Sequence, residues 1–117
     1  MVSSFRDLIV WQKSVVLASQ VYKLCANLPG GEAFGLASQM KRSAVSIPSN
    51  IAEGSKRTTT KDYRQFIAVA RGSAAELETQ LIIANNVYGI ADGEANQLIN
   101  EVQRMLTVLS RKLKDGT

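Results

Sequence analysis

Not one histidine occurs among the 117 residues of this chain. The commonest general base at neutral pH is therefore missing, and a hydrolytic triad built on imidazole is excluded. Cysteine is almost as scarce. The single Cys25 allows no internal disulfide, rules out zinc sites made from His and Cys, and suits a reducing compartment. Di-iron bundles need Glu-x-x-His pairs on facing helices, which are absent, and Glu76 and Glu78, two residues apart, do not share a helical face. Gly30-Gly31-Glu32 only superficially resembles a phosphate loop, since no Gly-x-x-x-x-Gly-Lys-[Ser/Thr] follows. No enzyme activity, metal or cofactor is expected. No apolar run reaches the ~20 residues of a membrane-spanning helix. A charged Arg6-Asp7 pair stands where the apolar region of a signal peptide would begin. The expected location is cytoplasmic, with no membrane partner.

Proline is also rare, with two residues, and the glycines fall mostly at 30–31, 35, 89, 93 and 116. Punctuation that sparse favours a few long helices over many short strands. A hydrophobic content of 45% is ordinary for a globule, and a chain of this length makes one domain, 1–117, with a real core.

Four helical segments follow from periodicity. The first spans about 5–27, with Ser4 and Asp7 as a cap pair and Leu28-Pro29-Gly30-Gly31 as its stop. Its main stripe is Leu8, Trp11, Val15, Ala18, Tyr22 and Cys25, which places Cys25, Trp11 and Tyr22 in the core. A second set, Val10, Leu17, Val21, Leu24 and Leu28, widens the apolar arc to roughly 200°, about twice what a surface helix needs. Either this helix is wedged deeply among its own neighbours, or it carries a second face for self-association. The second segment spans about 35–54, with Leu36, Met40, Ile47 and Ile51 as its stripe, Ser43 and Gly54 on the same line, and a kink expected at Pro48. The third spans about 60–88, capped by Thr59 or Thr60. Its stripe is Tyr63, Phe66, Ala70, Ala74, Leu77, Leu81, Ala84 and Tyr88, while Val69, Ile83 and Val87 suggest a further apolar contact. The fourth spans about 93–114, with Asp92 as cap and Asp115-Gly116 as stop, on a stripe of Ala95, Leu98, Val102, Met105, Leu109 and Leu113. Short connections make this an all-α, antiparallel, up-down-up-down four-helix bundle.

Two polar features stand out. Gln39, Arg42, Ser46, Asn50 and Glu53 run beside the apolar seam of the second segment, where unpaired polar groups are costly. The favoured reading is a structural network of Arg42, Ser46, Asn50 and Glu53 with Ser73 and Glu76 on the next helix, including an Arg42–Glu76 pair. A ligand site between helices is the other. The second feature is charge. An antiparallel bundle gathers Arg6, Lys56, Arg57, Lys61, Arg64, Arg111, Lys112 and Lys114 at one end, against Asp7, Glu53, Asp62 and Asp115. Eight cations over four anions account for the whole net charge of +4, while Glu32, Asp92 and Glu94 fall at the other end. Lys56, Arg57, Lys61, Arg64, Arg111, Lys112 and Lys114 are the candidate nucleic-acid-binding residues, RNA or DNA. A plain solvated surface is the bland reading of the same residues. No helix-turn-helix or aromatic-basic module points to base-specific readout.

Several stretches together resemble a known family: Phe5, Leu8 and Trp11-Gln12; Leu28-Pro29; Gly35-Leu36, Gln39 and Arg42; Ser46-Ile47-Pro48-Ser49-Asn50-Ile51-Ala52-Glu53-Gly54; and Gly72-Ser73 with Glu76-Leu77-Glu78-Thr79. They are similar to the small bacterial four-helix proteins named after open reading frames in 23S ribosomal RNA intervening sequences. That name records gene location, not binding. The family is in turn similar to the accessory variability proteins of diversity-generating retroelements, five-membered barrels whose basic surface engages nucleic acid and a reverse transcriptase. The resemblance covers nearly the whole chain. It implies a homopentamer without enzymatic role, an accessory protein, with Asn50, Glu53, Ser73, Glu76 and Glu78 as framework or interface positions. Nucleic acid, or a protein partner held by a scaffold, is the partner to expect.

Overall fold

The computed structural model describes residues 4–90 and 93–115. The chain starts with a short turn of its own. Ser4 Oγ accepts the Arg6 N–H at 3.2 Å, and Phe5–Asp7 close a single 3-10 turn. Leu8 is extended (φ −76°, ψ 122°), and only then does helix α1 run, from Ile9 to Cys25. The predicted start at Phe5 is thus four residues early, because the serine caps the tight turn and not the helix. The Gln12 side chain fastens that turn by donating to the Arg6 carbonyl at 2.8 Å. Beyond Cys25, the N–H groups of Ala26, Asn27 and Leu28 bond three residues back, so the predicted last turn is an unwinding one.

Helix α2 spans Leu36–Ser55 and passes through Pro48. Its first turn is tied down by Glu32, whose Oε1 accepts the Leu36 N–H at 3.1 Å while Oε2 accepts from the Tyr88 hydroxyl. Helix α3 spans Thr60–Tyr88. Thr59 Oγ1 caps it, accepting from Asp62 N–H at 3.1 Å. Gly89 ends it in the left-handed region (φ 65°), where a side chain would be strained. Helix α4 spans Gly93–Asp115; the expected Asp92 cap and Gly116 stop lie outside the described residues.

Cross-helix contacts fix the directions. Cys25 lies against the Ala37 carbonyl at 3.8 Å and Lys56 over the Phe5 ring, so α1 and α2 are antiparallel. Ser46 meets Ser73 while Gly54 meets Phe66, so α2 and α3 are too. Gln103 reaches Glu78 across α3 and α4, and Lys13 reaches Glu101 across α1 and α4. Each helix packs on its two neighbours, α4 closes on α1, and among the described residues no Cα atoms of the diagonal pairs come within 8 Å of each other. The result is the expected up-down-up-down bundle, 46 × 24 × 20 Å.

The core differs from the expected stripes in one helix above all. In α1 the buried face is Val10, Leu17, Val21 and Leu24, continued by Leu28 beyond its end, with Ser14 among them donating to the Trp11 carbonyl. The set expected to dominate is shallower: Leu8, Trp11, Val15 and Ala18 are half-buried and Tyr22 is 50% exposed, leaving Cys25 as its one buried member. Both sets are apolar, so periodicity could not rank them; the neighbours α2 and α4 decide which is covered. In α3 and α4 the expected stripes gain Ile67, Gln80, Ile99 and Leu106, all buried. Each such aliphatic side chain contributes about 1.5–3 kcal/mol relative to exposure.

One contact is tighter than the rest. A Cβ at Gly54 would lie 2.8 Å from Phe66 Cβ and 2.9 Å from Tyr63 Cδ1, so only glycine lets α2 and α3 meet there. At Gly72 a Cβ would meet nothing within 4 Å. Gly54→Ala is therefore expected to lower unfolding free energy by about 1–3 kcal/mol, whereas Gly72→Ala should raise it by about 0.5–1 kcal/mol. Urea melts of both variants distinguish this from a general intolerance of alanine.

Two carboxylates tie elements together and titrate accordingly. The Lys13 ammonium, 2.6 Å away, holds Glu101 below the ordinary carboxylate range. The Tyr88 hydroxyl and the Leu36 N–H do the same for Glu32. A depressed folded pKa stabilises the fold above the unfolded value, and the contribution is lost as pH falls through the folded value. Glu101→Gln should flatten the acid limb of a stability–pH profile. Glu32→Gln should flatten the acid limb and also the alkaline one, because the bond to Glu32 holds the Tyr88 hydroxyl above its ordinary range and that contribution is lost as pH rises through the folded value.

Candidate functional site

The fold brings three separate segments to one pole. The turn at Phe5–Asp7, the four-residue connection between α2 and α3, and the C-terminal end of α4 share a cleft of about 470 Å³, lined by Ser4, Phe5, Leu8, Ser55, Lys56, Tyr63 and Leu109. Around it lie the cations. Lys56 follows the end of α2, exposed, with Nζ 5.7 Å from the Phe5 ring centroid. Arg57 stacks over Phe66 at 4.7 Å and pairs with Glu53 at 3.7 Å. Lys61 is exposed in the first turn of α3, and Arg64 is half-buried one turn on. Arg111, Lys112 and Lys114 are exposed at the end of α4, with Lys112 beside an apolar groove that includes Leu8, Ile9 and Val108.

The sequence reading missed the aromatic part of this pole. Arg6 lies over the Phe5 ring at 5.8 Å, and Phe5 meets Trp11 edge-on with centroids 5.1 Å apart. Phe5 is far from Tyr63 and Phe66 in the chain, so no aromatic-basic motif is visible in order; the antiparallel packing assembles one. Arg next to Phe at 5–6, and Arg64 between Tyr63 and Phe66, were the available signals. Burial pushes the Tyr63 phenol above its ordinary pKa.

The opposite pole is less acidic than expected. Glu32 is engaged by Tyr88 and Leu36, and Lys23 in the last turn of α1 and Lys41 over the Tyr22 ring share that end. Cations and anions outside the basic pole number six each, so they cancel.

The polar ladder forms in part. Ser46 and Ser73 hydroxyls are 2.8 Å apart, and Asn50 Nδ2 donates to the Ser46 carbonyl and hydroxyl at 2.8 and 3.0 Å. These three groups satisfy one another across α2 and α3, which removes the polar lining a ligand site there would need. The expected Arg42–Glu76 pair is absent: both are exposed and neither makes an ion pair among the described residues. The hydroxyls already serve the seam, and a solvated pair would add little. Glu53 turns along its own helix to Arg57 instead.

Two further polar groups are buried. Cys25 is buried, which pushes its thiol up, with Lys41 acting in the opposite sense. Gln80 is 8% exposed and its Oε1 has no hydrogen-bond partner among the described residues. It lies in a shallow groove with Gln39, Gly72, Ala75, Glu76, Thr79 and Ile83 on the outer α2–α3 face. No group of three or more Cys, Asp or Glu among the described residues is placed to hold a metal, and no described helix is long and apolar enough to cross a membrane.

Compared with known proteins, residues 6–111 match the family model described as 23S rRNA-intervening sequence protein. A crystal structure of a protein with unknown function from the S23 ribosomal protein family of Bacteroides thetaiotaomicron superposes with a TM-score of 0.72 at 24% identity. The alignment covers 91% of this chain and 99% of that one, and at that identity the likeness is one of fold. No curated protein matches.

Proposed function

The chain belongs to the 23S rRNA-intervening sequence protein family, and from that footing we propose that it is a non-enzymatic, oligomeric accessory protein that holds nucleic acid by its phosphates at the basic pole. The observation that carries this reading is the convergence of cations from three distant segments on one end of an elongated body, with the remaining charges cancelling. At physiological ionic strength the Debye length is about 8 Å, so only a local cluster of this kind attracts a polyanion. Lys61 and Arg111 make no ion pair among the described residues and stand free to contact phosphate. The absence of histidine argues for binding without catalysis, and the lone buried Cys25 is in keeping with a reducing cytoplasm.

Self-association is supported by what the bundle leaves uncovered. Val69, Ile83 and Val87 on α3 are 52, 43 and 63% exposed, and Ile83 shares a groove with Gln80, whose Oε1 has no partner among the described residues. Ile9 and Val108 stand open along α1 and α4. Faces on opposite sides of the bundle suit a head-to-tail ring, as the resemblance to five-membered barrels implies, and a ring sets identical basic poles side by side. A protein-interaction scaffold is the second reading, favoured by Phe34, which is wholly exposed at the other pole.

Fluorescence anisotropy with labelled RNA and DNA should show binding whose affinity falls by orders of magnitude between about 50 and 200 mM salt. Replacing Lys56, Arg57 and Lys61 together by Glu should abolish it while the circular dichroism of the bundle is unchanged. No binding at low salt, or binding indifferent to salt, would leave the scaffold reading. Light scattering coupled to size exclusion reads the oligomeric state; a monomer would overturn the ring.

A further inference from the structure

Phosphate contacts need only surface cations, yet this pole also holds a cleft with an apolar floor. Phe5, Leu8, Tyr63 and Leu109 line it, with Lys56 in the same wall. Its volume of about 470 Å³ lies in the range of small-ligand sites. Phe5 is held edge-on against Trp11, and the Lys56 ammonium lies 5.7 Å from its ring centroid. An exposed cation–π contact is weak, and a phosphate offers that ammonium a stronger, charge-assisted hydrogen bond. Arg6 also lies over this ring, at 5.8 Å, and the move of both cations to phosphate would free the phenyl face. The Tyr63 hydroxyl, half-buried, has no hydrogen-bond partner among the described residues and is available as a donor or acceptor in the same wall.

We infer that the cleft takes an unpaired nucleobase, so that the protein prefers single-stranded nucleic acid to duplex. The inference rests on the reading of the pole as a phosphate-binding surface. The base lies on the Phe5 ring, its edge or sugar meets the Tyr63 hydroxyl, and the attached phosphate takes Lys56 and its neighbours. Every base has a face to stack, so the cleft is tolerant of sequence. A duplex keeps those faces inside and offers the pole its backbone alone. Arg57 does not take part in stacking, because its guanidinium is already placed between Phe66 and Glu53.

The full chain, a labelled single-stranded oligonucleotide and a duplex of the same length, compared at one salt concentration, test this. The single strand should bind about fivefold or more tightly than the duplex, and should change the emission of Trp11, the only tryptophan. Phe5→Ala should weaken single-strand binding by about fivefold to a hundredfold and leave duplex binding and the salt slope unchanged; Phe5→Tyr should restore it. Phe5 lies outside the four helices, so their circular dichroism should survive. Should Phe5→Ala unfold the chain, Tyr63→Phe, which removes one oxygen, should still lower single-strand affinity selectively. Equal affinity for both forms, or a Phe5→Ala effect equal on both, overturns the base-binding cleft alone. No binding of either form overturns the phosphate-binding reading with it.

Discussion

The close approach of α2 and α3 near their connection governs the rest of the molecule. Gly54 has no room for a Cβ between Phe66 and Tyr63, and farther along the seam small residues continue the fit: Ala44, Ala70, Ser73 and Ala74 are all buried. Helices that meet this closely can be joined by four residues, Lys56–Thr59, with Thr59 already acting as the cap of α3. The short connection leaves Lys56 and Arg57 little freedom. Each is drawn over an aromatic ring, Phe5 in one case and Phe66 in the other. A tight seam thus fixes the backbone of the basic tract, while the weak ring contacts leave its side chains able to turn to a phosphate.

Antiparallel packing then does with charge what sequence order cannot. Arg6, the cations from Lys56 to Arg64, and those from Arg111 to Lys114 belong to three stretches separated by whole helices. Two antiparallel hairpins lay all three at one end. The same packing distributes the remaining charges along the sides and at the far pole, where Lys23 and Lys41 offset the acids. Polarity is therefore a product of topology, and it persists whatever the individual side-chain rotamers are.

Much of this was legible in the residues, for reasons that differ by element. The start of α3 was legible because capping chemistry is local: of the two candidate threonines, Thr59 supplies the hydroxyl for the Asp62 N–H, and the helix runs to Tyr88 as expected. The stripe of α2 was legible because one face alone is apolar. In α1 both candidate stripes are apolar, and which is buried depends on where α2 and α4 stand, a tertiary fact. Ser14 escaped notice because a serine bonded to its own helix can be buried at little cost. The Arg42–Glu76 pair was inferred from facing positions, but facing long side chains need not meet when short hydroxyls already satisfy the seam. The cleft was illegible altogether, since its walls come from residues as distant as Phe5 and Leu109.

The outer face of α3 carries the remaining argument. A buried amide oxygen without a partner costs roughly 1–3 kcal/mol, and Gln80 holds one in a groove floored by Gly72, Ala75 and Thr79. Small residues there let another backbone or side chain come near, while Ile83 lines the groove and Val69 and Val87 are exposed farther along α3. A lone bundle gains nothing from this combination. A second copy seated on the face would cover the valines and isoleucine and bring donors to the Gln80 oxygen. Self-association would then remove a defect of the monomer, and the basic poles would be aligned as a consequence of that repair.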